Sequence, residues 1–224
     1  MKILNHEIKA VIFDMDGTLI DSTGLWHEID HKFFSKRGME LPKDYAQKIV
    51  HLGLTKAAEL TKELFGINES PEEIILEWRQ MAIDMYQNDV QLKDGAIELL
   101  ELFKKNGLTL SIATANDEEL YMPCINRLGI GKYFDFIADV NSSKEGKNSA
   151  KIYLDLAKEM ASEPENTLVL EDMPTCVKTV YGAGFITVAV ADRASQKFDE
   201  DKKKNSHLFI NNFQELIDCL IKEK

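Results

Sequence analysis

Asp14 and Asp16, within FDMDGTLIDS (residues 13–22), are the first residues whose types and spacing suggest chemistry. They follow an apolar run, KAVIF, that reads as a buried strand. In an extended strand, residues i and i+2 point the same way, so both carboxylates can face one site at the strand's carboxyl end. Open α/β sheets bind their ligands at that end. A carboxylate pair can divide labour there, one attacking phosphorus while the other serves as acid and base. Gly17 lets the backbone turn sharply. Asp-Gly is also an ordinary turn signal, so this stretch does not decide the matter alone.

Three later stretches bear on it. LSIATAN ends with Thr114, Ala115 and Asn116, and the polar groups of Thr114 and Asn116 suit a phosphate oxygen. EGKNSAKIYL places Lys147 just before a helical pattern, where an ammonium can neutralise a phosphate. TLVLEDMP ends with Glu171 and Asp172. Each is weak alone, but each falls at a predicted strand end or in the loop that follows one.

The elements that must hold these residues alternate. Strands are predicted at 9–15, 108–115, 134–140, 167–171, 185–190 and 208–210. Helices are predicted at 94–107, 117–129, 149–160, 174–184 and 212–224. Gly107 reads as a helix stop, Ser149 as an N-cap and Pro123 as a possible kink. This alternation predicts an α/β fold, a parallel sheet with helices on both faces. Residues 22 to about 92 break the pattern and read as helices only. Gly38 and Gly66 stop two of them, and Ser70-Pro71 starts the last. A helical block after the first strand looks like an inserted cap, giving a core of 1–21 and 93–224 and a cap of 22–92.

Bulk properties narrow the function classes. The 224 residues carry a net charge of −11, which argues against a large nucleic-acid footprint. The dense basic run Lys202–Lys204 sits beside DEDK and reads as a solvated loop. No apolar stretch approaches a membrane span, and the N-terminus lacks the layout of a signal peptide. The 3 cysteines, Cys124, Cys176 and Cys219, fit reduced thiols of a cytoplasmic protein. An acidic protein that binds phosphate must bring local positive charge, from lysine or a metal.

Taken in order, these stretches resemble the motifs of the haloacid dehalogenase superfamily, within its phosphatase branch. FDMDGTLIDS matches the first motif, and IAT the second through Thr114. GKNSAKIYL looks like the third, usually GKPxPDIY, and LEDMPTCVKTVYGAGF like the fourth, usually EDSxxGVxAAxxAG. The resemblance implies a Rossmann-like core with a four-helix cap. It makes Asp14 the nucleophile that forms an aspartyl-phosphate, and Asp16 the acid and base. Thr114 with its neighbours Ala115 and Asn116, and Lys147, would hold the phosphoryl group. Mg²⁺ would sit between Asp14, Asp172 and the main-chain carbonyl of Asp16, with Glu171 as a further candidate metal residue. The expected partner is a small phosphorylated metabolite such as a sugar phosphate, acted on by a monomer or small homo-oligomer. The chain departs from the third motif at Asn148, Ala150 and Lys151, and from the fourth at Met173 and Cys176. A mutase on the same scaffold and a catalytically weak metabolite-binding module are the competing readings.

Trp26 bears on the first rival. In the β-phosphoglucomutases a histidine stands ten residues after the second aspartate of the first motif. Trp26 holds that position here, as in some phosphatases of the family, which favours transfer to water and makes Trp26 a candidate substrate contact. HEIDH (27–31) fits the zinc-protease pattern H-E-x-x-H, with His27 and His31 as ligands and Glu28 as base. A helix face with polar residues explains it as well. GKNS is not a P-loop, because Asn141 and Asn148 stand where glycine and Ser/Thr are needed. Cys176 reads as a packed small residue rather than a reactive thiol. Lys56 reads as part of a solvated helix face.

Overall fold

A computed structural model describes the chain except residues 50, 51, 53, 140–146, 148, 223 and 224, with the Gln47 side chain also undescribed. Asn141, Asn148, Val50, Val140 and the last two positions of the predicted C-terminal helix therefore lie outside the described residues. The chain divides into two compact units, Met1–Thr23 with Val90–Lys224, and Gly24–Asp89.

The first unit contains strands β1 (Lys2–Ile3), β2 (His6–Glu7), β3 (Ala10–Asp14) and β4 (Ile20–Asp21) before the helical unit. The helical unit contains α1 (Leu25–Lys36), α2 (Tyr45–Ile49), α3 (Leu54–Phe65) and α4 (Pro71–Asn88). The first unit then resumes with β5 (Gln91–Leu92), α5 (Ala96–Lys105), β6 (Thr109–Ala113), α6 (Glu118–Leu128) and β7 (Phe136–Ala138). It ends with α7 (Lys151–Glu159), β8 (Thr167–Glu171), α8 (Pro174–Gly182), β9 (Ile186–Val190), α9 (Asp199–Lys204), β10 (Leu208–Ile210) and α10 (Phe213–Lys222).

The main sheet has the order β10-β9-β8-β3-β6-β7, and every pairing is parallel. β3, β8 and β9 are buried along their whole length, as strands covered on both faces must be. Alternation along β3 sorts its side chains between those faces. Ala10 and Ile12 pack with Ile152, Tyr153 and Leu156 of α7. Phe13 packs against Phe103 of α5, with ring centroids 6.1 Å apart. Burying a side chain of this size contributes about 1.5–3 kcal/mol. Asp14 continues the Ala10–Ile12 set and so belongs to the α7 side.

Connectivity then decides what surrounds Asp14. From β3 the sheet grows through β6 to β7 on one side, and the chain returns to place β8 on the other. β3 is thus the point where strand order reverses, where such sheets leave a crevice beyond their carboxyl ends. Register sharpens this. Asp14 pairs with Ala113 of β6, so Thr114 lies one residue beyond. Phe13 pairs with Leu170 of β8, so Glu171 falls level with Asp14.

In the helical unit, Gly38 and Gly66 follow α1 and α3 with φ of 68° and 63°. Ser70 caps α4 in a reciprocal capping box with Glu73, with a proline in the first turn. Pro123 lies inside α6. The N-cap of α7 is Ala150, and Ser149 instead accepts a hydrogen bond from the Lys151 backbone at 3.1 Å. The basic run at 202–204 is the last turn of α9, and Lys202 is fully buried, which corrects the solvated-loop reading for that residue. Among the described residues, no helix is long and apolar enough to cross a membrane.

Candidate active site

β3 ends at Asp14, so the two aspartates do not lie on one continuous strand. After Met15 the chain turns through Gly17, whose φ is 78°. Leu19 and Ile20 close the turn by donating to the Met15 carbonyl at 2.9 and 3.0 Å. Glycine is needed here for two reasons. Its φ lies in the left-handed region, and a Cβ at this position would fall 2.7 Å from Oδ2 of Asp172. The loop is thereby pressed against the end of β8.

The carboxylates of Asp14, Glu171 and Asp172 form a buried cluster with ligand atoms within 4.8 Å of one another. Lys147 binds this cluster. Its ammonium donates to Oδ1 of Asp14 and to the Ala113 carbonyl at 3.1 Å, and it pairs with Oε1 of Glu171 at 2.5 Å. Both oxygens of Glu171 are engaged. Oε1 also accepts from the Tyr153 hydroxyl at 2.7 Å, and Oε2 from the backbone N–H groups of Asp172 and Met173 at 3.1 and 3.3 Å. Oδ2 of Asp14 is buried and has no hydrogen-bond partner.

Burial, then the negative charge of Glu171, pushes the Asp14 carboxyl well above the usual range, outweighing the lowering by Lys147. Asp172 is raised to about 7 by burial, by Glu171 and by Asp192. Burial lowers the Lys147 pKa, but Asp14 and Glu171 outweigh it and the ammonium titrates above its ordinary value. Three buried carboxylates against one ammonium leave local negative charge uncompensated. An orphaned carboxylate oxygen among hard oxygen donors suits a divalent cation such as Mg²⁺. The donor set therefore fits the expected metal.

The other sequence candidates fall as follows. The Asp16 carboxylate lies outside the cluster and accepts from Nδ2 of Asn116 at 2.7 Å. Thr114 is fully buried, and its hydroxyl oxygen accepts from the Asn116 backbone at 3.1 Å. Ala115 is exposed. Trp26 belongs to the helical unit and is 52% exposed. Cys176 is buried and donates to the Lys147 carbonyl at 3.6 Å, and burial pushes its thiol up to about 12, as expected of a packed cysteine. His27, Glu28, His31 and Lys56 are exposed. Glu28 pairs with Lys32, and among the described residues the only metal-competent group is the one around Asp14.

Several supporting residues carried no sequence signal. Ser195 donates to the Asp172 carbonyl at 3.0 Å. Lys202 in turn donates to Ser195 and to the Val190 carbonyl, at 3.0 and 3.1 Å. Thr18 reaches Oδ1 of Asp172 at 3.5 Å. Tyr153 stood inside the third quoted motif, but only its contact with Glu171 reveals what it does.

Comparison with known proteins follows the same residues. The family model described as haloacid dehalogenase-like hydrolase matches residues 8–175. A phosphorylated carbohydrates phosphatase of Thermotoga maritima is 27% identical over 177 residues, covering 79% of this chain and 82% of the relative. Hexitol phosphatase B of Escherichia coli K12 is 26% identical over 169 residues, covering 75% and 76%. A solved Thermotoga maritima structure, provisionally assigned as a beta-phosphoglucomutase, superposes with a TM-score of 0.83 at 23% identity, covering 96% of this chain and 99% of the other. At that identity the superposition speaks for the fold alone.

Proposed function

This chain belongs to the haloacid dehalogenase-like hydrolase family, and from that premise we propose that it is a Mg²⁺-dependent phosphatase of small phosphorylated carbohydrates. The observation that carries the reading is the Asp14 carboxylate, ion-paired to Lys147 through one oxygen and orphaned at the other. The names of the two curated relatives support phosphomonoester hydrolysis and a carbohydrate substrate.

In this reading Asp14 attacks phosphorus. The bond from phosphorus to the substrate oxygen breaks, and an aspartyl-phosphate forms on Asp14. Asp16 gives its proton to the departing alkoxide, which leaves as the alcohol. Water then gives a proton to Asp16 and attacks the aspartyl-phosphate, releasing inorganic phosphate and restoring both carboxyl groups. Asn116 orients Asp16. Lys147 and Thr114 hold the phosphoryl oxygens, and the lysine offsets their charge. Glu171, with both oxygens occupied, orients Lys147 rather than serving as a primary ligand. Asp14 and Asp172, with the Asp16 main-chain carbonyl that the family resemblance implies, would hold the Mg²⁺. When bound, the cation lowers repulsion between the anionic phosphate and the carboxylates. Trp26, in place of the mutase histidine, supports water as the final acceptor.

The test is phosphate release from p-nitrophenyl phosphate and from a panel of sugar phosphates with Mg²⁺ present. Asp14→Asn is expected to abolish it, and undiminished turnover in that variant removes Asp14 as nucleophile. A sugar 1-phosphate distinguishes the mutase: free phosphate supports the hydrolase, whereas the 6-phosphate sugar overturns it.

A further inference from the structure

The helical unit, Gly24–Asp89, contains a cavity of ≈330 Å³ lined by Trp26, Asp30, Ile49, Leu54, Ala57 and Trp78 among others. That volume lies in the range of small-molecule sites, about 300–1,000 Å³. Its walls are aliphatic and aromatic, with a carboxylate among them. We propose that this cavity binds an organic ammonium group, with Asp30 as its counter-ion and the two indoles as its walls.

The first ground is how Asp30 is placed. Trp26 and Asp30 are one helical turn apart on α1 and share a face. The neighbouring stripe of Leu25, Ile29, Phe33 and Phe34 is buried. Asp30 goes in with it and is 6% exposed. Burial is the one influence that shifts its carboxyl, raising it to about 6, and no nearby cation pulls it back. A cation seated beside it would favour its ionised form. Among the described residues, Asp30 has no hydrogen-bond or ion-pair partner. A buried charge without a partner is unfavourable until something compensates it.

Three of the unit's cations are engaged with other groups. Arg37 pairs with Glu69 and Glu77 at 2.6 Å each and lies over the Phe33 ring at 3.8 Å. Lys32 pairs with Glu28. Lys62 donates to the carbonyls of Ile67, Asn68 and Glu69.

The second ground is Trp78. It is 3% exposed, and its indole Nε1 is buried without an acceptor. An organic ammonium ligand offers a cation to Asp30 and an apolar surface to the indole of Trp78. Tryptophan faces attract organic cations, and Leu54 and Ala57 suit alkyl groups on the nitrogen. A neutral isostere of the same shape could fill the cavity but would leave the Asp30 carboxylate uncompensated.

The chain has 2 tryptophans, and both line this cavity, so intrinsic fluorescence excited at the indole band reports on it directly. The experiment titrates the full-length protein with choline and with ethanolamine, and with 3,3-dimethylbutan-1-ol, the neutral isostere of choline. A saturable change is expected with at least one of the cations, at least tenfold tighter than with the isostere. Asp30→Asn, checked for an unchanged circular dichroism spectrum, is expected to remove that preference. Equal responses to choline and its isostere, no response to either cation, or an unaltered preference in Asp30→Asn would overturn the proposal. Because the readout needs no turnover, its failure is separate from any failure of the phosphatase reading.

Discussion

Gly17→Ala tests how the loop after β3 holds Asp172 in the cluster. The new methyl has two consequences. At φ 78°, an L-residue costs about 1–2 kcal/mol relative to glycine. The Cβ also falls 2.7 Å from Oδ2 and 2.9 Å from Cγ of Asp172, short of an ordinary 3.4 Å contact by about 0.7 Å at the nearer atom. The obstacle is the end of a side chain, so Asp172 can swing away with modest further loss of stability. That movement displaces a carboxylate proposed to hold the metal. A misplacement near 1 Å at a reacting centre can cost about 10²-fold in rate. The expected variant is folded, with a melting temperature lower by about 2–8 °C, since 1 kcal/mol shifts a chain of this size by about 2–4 °C. Its p-nitrophenyl phosphate turnover falls about 100-fold, and its half-saturating Mg²⁺ concentration rises. Melting by circular dichroism and Mg²⁺ titration of the initial rate measure both effects. A rate within twofold of the parent at unchanged Mg²⁺ dependence would refute the reasoning, because it would mean that Asp172 can move without consequence.

The remaining predictions concern metal, network and cap. Folding raises the Asp172 pKa to about 7, so between the unfolded value, about 3.9, and the folded one the folded state binds more protons. Without Mg²⁺, stability should therefore fall as pH rises through that window, and added Mg²⁺ should raise the melting temperature more at pH 7.5 than at pH 5. Scanning fluorimetry of the parent and Asp172→Asn checks this, and an equal Mg²⁺ shift at both pH values contradicts it. Lys202→Met removes a fully buried ammonium from Val190, Ser195 and Asp199. Hydrogen bonds to charged groups contribute about 1.5–3 kcal/mol, so denaturant melts should show a loss of about 2–3 kcal/mol, and an unchanged midpoint argues against the network. Ser70→Ala removes the hydroxyl that accepts from the Glu73 backbone at 3.2 Å. It should lower stability by about 1 kcal/mol, with faster amide exchange in the first turn of α4, and unchanged exchange there would count against the capping box.

Alternation of apolar runs with helical periodicity was enough to predict a parallel α/β sheet, because burial on both faces forces continuous apolar strands such as Ala10–Asp14. Glycine and capping signals marked the ends of α1, α3 and the start of α4 because those features act within one turn of chain. The acidic and basic groups that meet at the strand ends were also visible as residue types. Their arrangement was not. Local spacing suggested that Asp14 and Asp16 face one site in extended backbone, yet the strand stops at Asp14 and the Asp16 carboxylate accepts from Asn116. Glu171 was legible as an acid beside Asp172, but its contacts with Lys147, Tyr153 and two backbone N–H groups come from elements that spacing cannot relate. Lys202 looked solvated because its neighbours are charged, but its ammonium is buried beside Ser195 and the Val190 carbonyl. Asp30, one polar residue on a helix, gave no hint that it lines a cavity with both tryptophans. The sequence by itself determined the elements and the kinds of group at their ends, since propensity and periodicity are local. Only tertiary structure decided which carboxylate keeps a free oxygen and which is consumed, because partners arrive from strands and loops far apart in the chain and their burial sets each charge.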